Sequence, residues 1–223
     1  MAKEYIEISD KLQDKINQEA TEEQIKEIYS GFHKYNLVNY LFSYIIDSKF
    51  RIAVKLHKWI KKQIGNPIIE QVAAECMTFT KNKLDYDKTM INILRYWYNK
   101  IVYKTDINNF GKFEYWANVE EILEKSEDDC EGFSTLIYLT ALACGISEYR
   151  FYFTIGWVNI NNQKVGHAYV TYIADDLVMY AIDGTFYPIE SMKFTTPYFI
   201  NERYYFGSEE WARFNTQGTY KIK

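Results

Sequence analysis

Proline is nearly missing from this chain, with three in 223 residues, and there are only ten glycines. So few turn-formers leave no room for a long structureless linker. Cysteine is scarce as well, and three, an odd number, do not make a disulfide framework. No apolar run reaches the roughly 20 residues that cross a bilayer, so no membrane span is expected. The opening Met-Ala-Lys-Glu-Tyr is charged and lacks the apolar core of a signal peptide, so a reducing, cytoplasmic setting is expected. A net charge of -4 gives no reason to expect nucleic acid or an anionic membrane as partner. No internal repeat is present.

What the chain does have is aromatic: 18% of residues, led by 21 tyrosines, within a hydrophobic share of 48%. That favours extensive β structure and well-filled pockets. The length allows one large domain or two small ones. The first hundred residues read as helices. Lys3 to Ala20 carries Ile6, Ile8, Leu12 and Ile16 on one face. Thr21 and Gln24 form a capping-box pattern for a second helix ending near Gly31. Further helices are expected from Asn36 to Ile46, from Phe50 to Ile64, from Pro67 to about Phe79, and from Asp87 to Lys104. Arg51, Lys55, Lys58 and Lys62 share one helical face and read as a solvated stripe, and His33 and His57 as structural. Residues 1–85 are thus read as an N-terminal helical region and 86–223 as a second unit bearing the chemistry.

That chemistry centres on the stretch from Ser126 to Gly145. An acidic run stops at Cys130, and an almost wholly apolar segment follows until a glycine closes it. The pattern predicts a helix from Cys130 to about Cys144, apolar on nearly every face and therefore buried. The N–H groups of a helix start favour a thiolate, the nucleophilic form of cysteine. Asp128, Asp129 and Glu131 oppose it, since nearby negative charge raises a thiol pKa. A reactive Cys130 therefore needs a cation beside it; a small buried hydrophobe is the other use of such a cysteine. Just upstream, Asn108-Asn-Phe-Gly111 reads as a turn, and Asn118 with Glu121 as a cap-and-return pair opening a short helix to Lys125.

Beyond Gly145 the pattern changes to period two, in strands around Phe151 to Ile155, from Lys164 to Ile173 and from Leu177 to Asp183. A two-residue turn at Asn161-Asn162 sets Gly156 opposite His167. A three-residue loop over Ala174, Asp175 and Asp176 would set His167 directly opposite Asp183 on one face. This second pairing depends on loop length. An imidazole oriented by a carboxylate is the base of a nucleophilic hydrolase, and its imidazolium is the cation that Cys130 lacks.

Trp116, Asp129-Cys130-Glu131, Gly166-His167-Ala168-Tyr169 and Asp183-Gly184-Thr185, in that order, resemble the transglutaminase-like superfamily. Closest are its bacterial cysteine proteinases, including the periplasmic adhesin-cleaving ones. The resemblance covers roughly Asp87 to Pro188. It implies an α+β, papain-like core, with the cysteine helix laid against an antiparallel sheet. It implies Cys130 as nucleophile, His167 as general base and acid, Asp183 as orienting carboxylate, and Trp116 lining the cleft near an oxyanion hole. It implies a peptide or protein substrate, cleaved by hydrolysis or transferred to an amine, and calcium held by Asp129 and Glu131. A non-catalytic module that kept the scaffold is the rival reading. The chain departs from the family pattern at Val119 for proline, Asp128 for glycine, Gly132 for an acid and Tyr169 for tryptophan. Asp128 and Gly132 weaken the implied calcium site and any reading of the substrate.

Overall fold

The computed structural model describes residues 21–28, 48–160, 163–185, 200–201, 209–215 and 218–221. Seven helices lie within them: α1 (Glu22–Ile28), α2 (Ser48–Lys61), α3 (Pro67–Cys76), α4 (Tyr86–Lys100), α5 (Asp106–Phe110), α6 (Val119–Lys125) and α7 (Cys130–Ala143). Short strands β1 (Phe79–Thr80) and β2 (Lys83–Leu84) form a hairpin, and β3 (Val102–Tyr103) pairs in parallel with β4 (Glu127–Asp128). The main sheet comprises β5 (Phe151–Ile160), β6 (Gln163–Ile173), β7 (Met179–Ile182), β8 (Ile200–Asn201), β9 (Glu209–Asn215) and β10 (Gly218–Lys221). Its order is β10-β9-β5-β6-β7-β8, antiparallel throughout, so the fold is α+β.

Helix starts follow the capping chemistry of the sequence. Thr21 N–H donates to Gln24 Oε1 and Gln24 N–H to Thr21 Oγ1, the reciprocal bonds of a capping box. Asn118 and Glu121 do the same at α6. Pro67 occupies the first turn of α3 behind an Asn66 cap. That helix ends at Cys76 rather than near Phe79, because Lys81 and Asn82 adopt positive φ and fold the next residues into the β1–β2 hairpin. Helix α4 stops at Lys100, short of Lys104, where β-branched Ile101 and Val102 leave it for β3. The turn expected at Asn108–Gly111 is the end of short helix α5, closed by Gly111 at φ 69°. The helices expected over Lys3–Ala20 and Asn36–Ile46, and the chain near Gly31 with His33, lie outside the described residues.

Helix α7 is the centre of the molecule, buried on nearly all faces. Residues from α2 (Ala53, Leu56, Ile60), α3 (Ile69, Val72, Ala73) and α4 (Met90, Ile93, Leu94, Trp97) join Leu136, Ile137 and Ala141 in one continuous core. Trp97 Nε1–H donates to Thr140 Oγ1 at 2.9 Å, which satisfies an indole that has no access to water. Tyr138 meets Phe151 and Phe153 edge-on across the sheet, with centroids 5.3 and 6.1 Å apart. The opposite sheet face carries Tyr152, Ile173 and Met179, which pack with Ile25 of α1. No helix among the described residues is long and apolar enough to cross a membrane.

The β5–β6 register is the one the sequence predicts: Ile160 pairs with Gln163, and Gly156 with His167. The β6–β7 register is not. Ile173 pairs with Met179, so the loop is five residues, 174–178, rather than three. Leu177 sits at φ 63°, and Asp176 Oδ1 accepts the Val178 N–H, a local turn that periodicity does not reveal. The slip is by two residues, so faces are conserved and Asp183 comes diagonal to His167 instead of directly opposite.

Candidate active site

Cys130 opens α7 because Asp129 caps it, accepting the Glu131 N–H at 3.2 Å. The approach to that cap is fixed by the parallel β3–β4 pair. Val102 N–H donates to Ser126 O and Lys104 N–H to Asp128 O, while Asn109 Nδ2 donates to Glu127 O. These bonds bring Tyr103, Asp106 and the β4 acids to the same helix start.

Strand β7 leaves β6 after the Val170–Ile182 pair. Beyond that point the Ala168 N–H acts on the Cys130 sulfur and lowers its pKa. Ala168 is next to His167, whose Nε2 lies 2.5 Å from Asp183 Oδ2. As a carboxylate only accepts, Nε2 carries the hydrogen of this bond. Asp183 Oδ1 in turn accepts from Thr185. Tyr169 stacks on the His167 ring at 6.2 Å. Cys130 and His167 each keep 7% of their surface exposed.

Electrostatics at this point are dominated by acids. Burial, then Glu131 and Asp129, push the Cys130 thiol well above its ordinary value, and the Ala168 N–H only partly offsets them. The thiol donates to Glu131 Oε2 at 3.0 Å. The helix start by itself therefore does not make Cys130 a thiolate. His167 is raised: burial disfavours its charge, but Asp183 and, behind it, Glu131 outweigh that. Tyr103 is held protonated by burial first and then by the acidic groups around it, Asp129, Glu131 and Asp183 among them.

The acids fall into two overlapping groups. Ligand atoms of Asp129, Cys130 and Glu131 lie within 4.8 Å of one another, as do carboxylate oxygens of Asp106, Asp128 and Asp129. In the second group Asp106 Oδ1 and Asp128 Oδ2 are buried without a hydrogen bond. Burial and neighbouring acids push Asp128 up to about 7 and raise Asp106 and Asp129. The two departures at 128 and 132 turn out to be linked. Asp128 folds its carboxylate onto Gly132, where any Cβ would collide with it.

Trp116 is half-buried and packs against Trp59 with centroids 6.3 Å apart. Glu114, two residues before it, is raised by burial and then by Glu131, so this segment borders the acid cluster. Sequence reading missed Tyr103 and Asp106, which no local pattern marks. The aromatic tail residues Phe186, Tyr187, Tyr198, Phe199, Tyr204, Tyr205 and Phe206 lie outside the described residues, as does the side chain of Trp211.

No family model matches the chain, and no curated protein does. Among solved structures, Legionella pneumophila LapG is similar, with a TM-score of 0.52 at 16% identity over 76% of this chain and 87% of that one. The EGTA-treated form gives 0.52 at 16% identity over 76% and 84%. The calcium-bound form gives 0.49 at 17% identity over 75% and 86%.

Proposed function

We propose that this chain is a thiol-dependent amide hydrolase acting on peptide or protein, with Cys130 as nucleophile, His167 as acid and base, and Asp183 as orienting carboxylate. The observation that carries the reading is the 2.5 Å bond between His167 and Asp183, on the strand whose Ala168 N–H favours the thiolate of Cys130 at the start of α7. The LapG fold supports it. With Nε2 engaged by Asp183, proton transfer with the thiol falls to Nδ1. His167 takes the thiol proton as sulfur attacks the amide carbonyl, then gives it to the leaving amine. The resulting thioester is hydrolysed by water activated by the same imidazole. Asp183 stabilises the imidazolium at both stages.

A divalent cation, with calcium the best fit, belongs to this reading. Asp106, Asp128 and Asp129 would hold it: an all-oxygen donor set with two unpartnered buried oxygens suits a hard cation better than zinc. Bound there, the ion supplies positive charge that offsets the carboxylates opposing a Cys130 thiolate.

The test is incubation with a proteome-derived peptide library in calcium and H₂¹⁸O, with new termini read by mass spectrometry. Cleavage with ¹⁸O at the new C-termini, lost in Cys130→Ala and His167→Asn, supports hydrolysis. Cleavage that persists in Cys130→Ala, or none in the wild type, overturns it. Calorimetric titration with CaCl₂ tests the ion separately: Asp128→Ala should lose binding, and binding that survives there contradicts the assigned ligands.

A further inference from the structure

We propose that Thr185 is a positioning residue for the His167–Asp183 pair, holding Asp183 so that one carboxylate oxygen stays on the imidazole. This rests on the reading of His167 as the acid–base group. Asp183 stands one residue beyond the end of β7, so the strand ladder does not fix it. The terminal torsion of an aspartate is broad, and its carboxylate plane is set by whatever bonds it. Here one residue supplies two donors to one oxygen. The Thr185 N–H reaches Asp183 Oδ1 at 2.8 Å and the Thr185 hydroxyl reaches the same oxygen at 2.7 Å. Oδ2 is thereby turned to His167 Nε2. Having given its hydrogen to Oδ1, Thr185 Oγ1 presents lone pairs toward Nε2 at 3.5 Å, a weak second acceptor for the same N–H.

The turn is anchored as well as bonded. Gly184 lies so close to the Phe133 ring that a Cβ there would collide with it. Phe133 is on α7, one turn from Cys130. The turn therefore sits against the cysteine helix while its side chains orient the histidine of the sheet. Among the described residues, the charged groups that raise the His167 pKa are Asp183, from the segment after β7, and Glu131, from α7.

The experiment is ring ¹⁵N NMR of the full chain across pH, with the His167 signal assigned among the three histidines by its loss in His167→Asn. The wild type should show the Nε2–H tautomer when neutral. Thr185→Val keeps the shape and removes the hydroxyl. It should lower the His167 midpoint by about one pH unit, a tenfold change, and let the Nδ1–H tautomer appear. Thr185→Ser should restore both to within about threefold. If the valine variant fails to fold, Thr185→Ala carries the same expectation. An unchanged midpoint and tautomer in the folded valine or alanine variant would overturn the proposal, as would a serine variant no better than valine. The measurement needs no turnover. A chain that cleaves nothing yet shows these shifts would lose the hydrolase reading and keep this one.

Discussion

Asp87→Asn should stabilise the protein near neutral pH, although it deletes a charge close to an arginine. Asp87 is in the first turn of α4 and ties that helix to the β6–β7 loop. The Tyr172 hydroxyl donates to its Oδ1 at 2.6 Å, and the Asp175 N–H approaches both oxygens at 3.3 Å. Arg150, almost fully buried, is committed to Asp175 at 2.6 Å. Burial foremost, and Asp175 after it, push Asp87 from 3.8 up to about 6, with Tyr172 and Arg150 offsetting only part. At about 1.4 kcal/mol per unit of pKa, ionisation costs the folded state about 3 kcal/mol. A carboxamide keeps an acceptor for both donors but loses about 1 kcal/mol of helix-dipole attraction. The net gain is about 2 kcal/mol, or about 4–8 °C in a chain of this size. Because the folded pKa is the higher one, the stability from a protonated Asp87 is fully present below 3.8 and lost as pH rises through about 6. Calorimetric melting should therefore give wild type and variant similar Tm values near pH 4, with the variant pulling ahead above pH 6. A variant that melts lower than wild type at pH 7.5, or a gap that does not change with pH, would refute the reasoning.

Three further substitutions probe packing around the site. Gly132→Ala places a Cβ in the Asp128 carboxylate. It should cost about 1–3 kcal/mol in melting and weaken calcium at least about tenfold by calorimetric titration. Gly184→Ala drives into Phe133 and should cost a similar amount while shifting the His167 ring signals; unshifted signals would show that the turn can move without consequence. Trp97→Phe removes the indole donor to Thr140 and leaves a void beside α7, for a loss of about 1–3 kcal/mol in denaturant unfolding.

How much of this could be read in advance differs from element to element. The Cys130 helix was legible because a buried helix writes its burial as composition, and the closing Gly145 adopts φ 75° as a helix stop requires. Gly156 facing His167 was legible because a two-residue connection leaves one register. The β6–β7 loop was not: nothing marks Leu177 for positive φ, and the pairing of His167 with Asp183 survived only because the loop grew by an even number. Tyr103 and Asp106 were invisible for a different reason. They arrive through a parallel pair of two-residue strands, too short to show a period, so their neighbourhood with Cys130 is purely tertiary. That the Asp128 carboxylate lies where a Cβ at Gly132 would stand was likewise invisible until their positions in space were known.

The chemistry proposed for this site requires Cys130 to be the reactive thiol, made so by His167. Cys76 and Cys144 are buried and pushed up to about 12, which makes them internal controls. Limiting iodoacetamide on the folded protein at pH 7.5 in calcium, followed by peptide mapping, should give one adduct, on Cys130, formed at least about tenfold more slowly in His167→Asn. Equal alkylation of the three cysteines, or a rate at Cys130 indifferent to His167, would contradict it.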